Sequence, residues 1–86
     1  MGQGDIIEFL EKKKIVFTRG EIARTMNESP TKVSILLKKL ADKNEIRYVE
    51  IDRMTANKRC GSRRRIKVYW IGMLDKDNYL FIKDFL

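Results

Sequence analysis

The chain contains no histidine and a single cysteine, Cys60. These absences exclude the Cys/His zinc sites, an internal disulfide and every mechanism that uses imidazole as acid, base or metal ligand. No apolar run approaches the roughly 18 residues that span a bilayer. The N-terminus, with Gly2, Gly4 and Asp5, lacks the basic-then-apolar order of an export signal. A cytoplasmic protein with no membrane partner is expected, associated with the nucleoid if the host is prokaryotic. There is also no glycine-rich phosphate loop and no recognisable motif that pairs carboxylates. No enzymatic activity, cofactor or metal is therefore expected.

What is present is one domain's worth of chain: 86 residues, 43% hydrophobic and 36% charged. That composition belongs to folded domains, and a chain of this size buries only about two-thirds of its unfolded surface. The net charge is +7, and it is unevenly placed. Residues 1–31, 46–57 and 66–86 each sum to zero. Lys32, Lys38, Lys39 and Lys43 exceed Asp42 and Glu45 by two, and Lys58, Arg59, Arg63, Arg64 and Arg65 stand unopposed at +5. Charge confined to two short segments is an electrostatic footprint for a polyanion, which evenly spread charge is not. Cys60 lies among the five cations.

Local signals divide the chain. Asp5 ahead of Ile6, Ile7, Phe9 and Leu10, with Glu8 three positions on, predicts a first helix over residues 5–14 that ends in three lysines. Ile15, Val16 and Phe17 read as a brief extended segment. Thr18-Arg19-Gly20-Glu21 is a capping box, with Phe17 and Ile22 placed as a hydrophobic staple, so a second helix starts there. Asn27 and Glu28 form a turn. Ser29 caps a third helix, whose first position is Pro30, where a missing amide costs nothing. In it Val33, Leu36, Leu37 and Leu40 form a core-facing stripe, and Thr31, Ser34, Ile35 and Lys38 occupy the outer face, flanked by Lys32 and Lys39. Asn44 suits a left-handed helix end.

Residues 46–53 and 66–71 are rich in Ile, Val and Tyr and read as two antiparallel strands, with Ile66, Val68 and Trp70 alternating against Lys67, Tyr69 and Ile71. Trp70 in that register is expected in the core. The connection over residues 54–65 is longer than a usual hairpin loop and carries most of the net charge. After Gly72, Tyr79, Phe81, Ile82, Phe85 and Leu86 line one side of a closing helix, although residues 79–82 also fit a strand. Residues 73–86 are apolar enough for a homodimer contact, and packing onto the first helix fits equally.

The order helix, short strand, helix, turn, helix, strand, basic loop, strand resembles the winged helix-turn-helix domain. The stretch SPTKVSILLKKLADKNEI, residues 29–46, resembles the recognition helix of many bacterial and archaeal winged-helix transcription regulators. The resemblance covers residues 5–72, leaving 73–86 as a C-terminal segment of the single domain. It implies an α+β fold with a three-helix core and a two- to three-stranded antiparallel wing, binding double-stranded DNA as a dimer. Helix 30–43 would enter the major groove through Thr31, Lys32, Ser34, Ile35, Lys38 and Lys39. The wing, 54–65, would lie on the backbone or in the minor groove through Lys58, Arg59, Arg63, Arg64 and Arg65. Arg19 would help the start of the second helix hold a phosphate. One position departs from the pattern: Ile35 stands where many relatives carry Arg. Ile can touch a thymine methyl but cannot make the paired hydrogen bonds that read guanine. Winged helices that serve as assembly modules of transcription or replication machinery, or that bind RNA or non-B DNA, are the alternatives.

Overall fold

The computed structural model describes residues 2–86. Its elements, in chain order, are α1 Gln3–Glu11, β1 Phe17–Thr18, α2 Arg19–Met26, α3 Pro30–Asp42, β2 Arg47–Ile51, α4 Arg53–Cys60, β3 Ile66–Trp70 and α5 Lys76–Ile82, closed by a 3₁₀ turn at Lys83–Phe85. The fold is α+β, with five α-helices and one three-stranded antiparallel sheet among the described residues.

The helix starts follow from side chains within one turn. The Thr18 hydroxyl accepts from the amide of Glu21 at 3.1 Å, and the Glu21 carboxylate accepts from the amide of Thr18 at 2.8 Å. Phe17 packs on the cluster that holds Ile22. Ser29 accepts from the amide of Lys32, with Pro30 at the first helical position. α3 ends at Asn44, whose φ is 59°; the Glu45 amide reaches back to the Leu40 carbonyl and the Asn44 amide to that of Ala41. That double closure satisfies carbonyls that the last helical turn leaves free.

Several boundaries differ from expectation, and the strand read over 46–53 stops at Ile51 because Asp52 caps α4. α1 begins two residues early, at Gln3, because Asp5 acts from inside the first turn, its carboxylate accepting from the Gly2 amide at 2.9 Å, instead of capping the helix itself. It ends at Glu11, so Lys12, Lys13 and Lys14 follow the helix and do not form its last turn. The larger correction concerns residues 54–65. Most of this stretch is not a loop but α4, which Asp52 starts by accepting from the Thr55 amide at 2.7 Å and Gly61 ends at a φ of 73°. Only Ala56 of its eight residues is buried, so α4 carries no apolar stripe to announce it.

The sheet runs in the order β1-β3-β2 and separates two small cores. On one face Tyr69, Ile71 and Phe17 pack against Ile6, Leu10, Ile22, Val33, Leu37 and Leu40 of α1, α2 and α3. On the other, Ile51, Val68 and Trp70 pack with Val16, with Ala56 of α4 and with Ile82 of α5. Trp70 is 5% exposed, as its alternation required. Residues 76–82 are helical, and they cover the second sheet face instead of lying on α1. Their position is pinned from residues 14–16: the Asp75 amide donates to the Lys14 carbonyl at 2.8 Å, and Asn78 Oδ1 accepts from the Val16 amide at 3.0 Å.

Candidate nucleic-acid interface

The five cations of residues 58–65 do not act as one group, because α4 and the turn after it send them in different directions. Arg59 turns inward. Its Nη2 donates to the Val16 carbonyl at 3.0 Å and to Glu21 Oε1 at 3.2 Å, and its guanidinium lies 5.3 Å from the Phe81 ring centre. With its side chain 24% exposed, Arg59 ties α4 to the start of α2 and to α5 while still bordering the large cleft described next. A phosphate contact from Arg59, expected from its charge, has to compete with these bonds. The same Glu21 carboxylate closes the capping box, so one acidic group serves two structural ends.

Arg64 and Arg65 line, with Arg59, a cleft of about 790 Å³ whose other walls include Arg19 and Arg24 of α2, Ser34 of α3, and Lys67 and Tyr69 of β3. Three segments far apart in the chain thus meet around one cationic space, which is where an anion's charge is best compensated. The carboxylates facing it are Glu21 and Glu50. Glu21 is engaged by Arg59 at 3.2 Å, and Glu50 stands 3.8 Å from Arg65, both side chains well exposed. An exposed pair of that length contributes little and opens readily. Tyr69 sits at the sheet floor, its phenol pushed above the ordinary range by burial, with Arg19 acting in the opposite direction. It remains a protonated, neutral hydroxyl at neutral pH. Across the strands Tyr48 pairs with Tyr69, their rings 6.0 Å apart, and the Lys67 ammonium lies 5.2 Å from the Tyr48 ring centre.

Lys58 and Arg63 go elsewhere: they line a second, smaller cleft of about 470 Å³ with Arg53, Met54 and Asn57. On α3, Thr31, Ile35, Lys38 and Lys39 are all exposed, Ile35 at 54%. Lys32 is exposed as well but is engaged by Glu28 one turn back, at 3.5 Å. Of the expected residues, the structure therefore gathers Arg19, Ser34, Arg59, Arg64 and Arg65 in one cleft. It leaves Thr31, Ile35, Lys38 and Lys39 on the exposed helix, sends Lys58 and Arg63 to another surface, and holds Arg59 at the wall of the large cleft in bonds to Val16 and Glu21.

Arg24, Lys67 and Tyr69 belong to the cleft without having been expected there, and so does Arg53 to the smaller one. The alternation of Lys67 and Tyr69 against buried Val68 and Trp70 was the available signal for the first group, because it places both on the α2–α3 side of the sheet. Cys60 is exposed on the rim of the large cleft, its Sγ directed at the Ala56 carbonyl at 3.4 Å. Among the described residues no group of three or more His, Cys, Asp or Glu is placed to hold a metal ion, and no helix is long and apolar enough to cross a membrane. No family model, no curated protein and no solved structure matches this chain, so what it does has to be argued from these side chains.

Proposed function

We propose that this is a winged-helix protein that binds double-stranded DNA and regulates transcription, with α3 in the major groove and the β2–α4–β3 unit as its wing. One observation carries the reading. Arg19, Arg24, Arg64, Arg65 and Lys67 converge beside Ser34 on one cleft that abuts the exposed outer face of α3. A helix that presents Thr31, Ser34, Ile35 and Lys38, bordered by cations from two other elements, matches a groove of base edges bordered by phosphates.

The roles then separate. Arg64, Arg65, Arg19, Arg24 and Lys67 supply phosphate contacts, which dominate affinity and carry no sequence information. Discrimination falls to Thr31, Ser34 and Ile35, which make a weak reader: hydroxyls bond to several base edges, and an aliphatic group favours the thymine methyl. A preference for A·T-containing sites with little demand for guanine follows. Two copies related by a two-fold axis would bind half-sites about 34 Å apart.

The experiment is duplex binding measured across salt concentration. With these five cations on phosphate, the logarithm of affinity falls against the logarithm of salt with a slope of about −4.5. A slope no steeper than about −1 overturns the assignment. A second reading, an assembly module, draws on Met73, Tyr79, Leu80 and Leu86, which are exposed at 85%, 52%, 46% and 64%. The same surface serves a homodimer. Arg64→Ala with Arg65→Ala separates the two, since a DNA reader loses duplex affinity and an assembly module keeps its partner.

A further inference from the structure

The cations on the outer side of α4 have no part in the cleft beside α3. α4 packs through Ala56 on the sheet face opposite α1, α2 and α3. At about 100° per residue, Met54 and Lys58 stand nearly opposite Ala56 and so point away from the bundle, with Asn57 between those sides. Met54 is 71% exposed, and Arg53, Lys58 and Arg63 are all exposed around it. The turn that follows is held in place, the Asn57 side-chain Nδ2 donating to the Ser62 carbonyl at 3.3 Å and the Ser62 hydroxyl to that of Arg64 at 3.2 Å. It thereby separates Arg63, which lines the α4 surface, from Arg64 and Arg65, which line the other cleft.

We propose that this face of α4 is a second phosphate-backbone surface, occupied by a duplex segment other than the one on α3, so that one protein bridges two stretches of DNA. The inference rests on the duplex-binding reading above. Arg53, Lys58 and Arg63 surround a cleft of about 470 Å³ whose lining contains no carboxylate. The nearby acid, Asp52, is engaged by the Thr55 amide at 2.7 Å, which holds its carboxyl below the ordinary range and leaves it as a fixed local charge. Three cations around an exposed thioether fit a sugar–phosphate strand, whose anionic edges are spaced by an apolar sugar. A lone solvated lysine face would need neither the convergence nor the methionine.

The test immobilises one short duplex, loads the protein, and measures capture of a second, labelled duplex of the same sequence. It compares the wild-type protein with Arg53→Gln/Lys58→Gln/Arg63→Gln and with Arg64→Gln/Arg65→Gln. At physiological salt, where charges more than about 8 Å apart are largely screened, the triple variant is expected to load with less than about a threefold loss. Its capture of the second duplex should fall at least about tenfold, the scale of losing one or more phosphate contacts. The double variant should fail at loading itself. Equal losses of loading and capture in the triple variant would place the α4 cations on the same duplex as α3 and overturn the bridge. Unchanged capture would do so too, assigning bridging to two protomers. A wild-type protein that does not load at all overturns the duplex-binding reading, and with it this one, and is distinguished from the other outcomes at the first step.

Discussion

Replacing Arg59 with Ala tests the point on which the chain's charge and its structure disagree most. By position, Arg59 is one of five basic side chains within residues 58–65, unopposed by acid; by structure, it is the pin that fixes α4 to the body of the domain. Removing it deletes a charged donor to the Val16 carbonyl at 3.0 Å and to Glu21 at 3.2 Å, together with its contact over Phe81. A hydrogen bond to a charged group contributes about 1.5–3 kcal/mol and a cation–π contact about 0.5–1 kcal/mol. The ion pair is partly screened, with side chains 24% and 34% exposed, and both bonds leave from one nitrogen, which puts the sum near its lower end. The expected loss is about 2 kcal/mol. A domain of this length has a total stability of roughly 4–13 kcal/mol, so the midpoint of urea unfolding should move visibly. Arg63→Ala, at an exposed position, should leave that midpoint where it is. In duplex binding extrapolated to conditions where both are folded, Arg59→Ala should keep the salt slope of the wild type. The reasoning is refuted if Arg59→Ala costs less than about 0.5 kcal/mol while the slope becomes shallower by about 1, because that pair of results describes a phosphate contact.

Leu37→Ala, at a site 1% exposed in the three-helix core, should cost about 2–5 kcal/mol and leave a large unfolded fraction by circular dichroism. Thr18→Ala removes the cap of α2 and should lower stability by about 1 kcal/mol in denaturant titration. Ile35→Arg restores the guanine-reading side chain, so selection from random duplexes should return sites enriched in G relative to those of the parent, and unchanged site preference would remove α3 from the groove. Acid should weaken both ends of the second core. Asp52 and Asp75 are held below their ordinary value of 3.8, first by the amides of Thr55 and Asn78. A carboxyl with a depressed folded pKa contributes stability that is present above 3.8 and is lost as pH falls through the folded value. Unfolding midpoints followed below pH 4 should therefore flatten in Asp52→Asn and Asp75→Asn relative to the parent.

Much of this architecture was legible because it is decided within a few residues. The Thr18–Glu21 box, the Ser29-Pro30 start, the Asn44 stop and the stripe of Val33, Leu37 and Leu40 each depend on partners one turn away or on a single periodicity. The strands announced themselves in the same way, through alternation that put Val68 and Trp70 on a buried face. By itself, then, the amino-acid order determined the three-helix core, the strand pair and the existence of a localised excess of charge.

Where that charge points was decided only by tertiary structure. α4 has a cap at Asp52 and a left-handed stop at Gly61, yet buries one alanine, so no hydrophobic pattern marks it and its neighbours in the fold determine its course. Packing Ala56 against Ile51, Val68, Trp70 and Ile82 sets the rotation of the helix. That rotation sends Arg59 to Glu21 and leaves Lys58 outside, while the turn at Ser62 parts Arg63 from Arg64. The number of charges is a property of the chain, whereas their direction comes from contacts between residues about 40 positions apart.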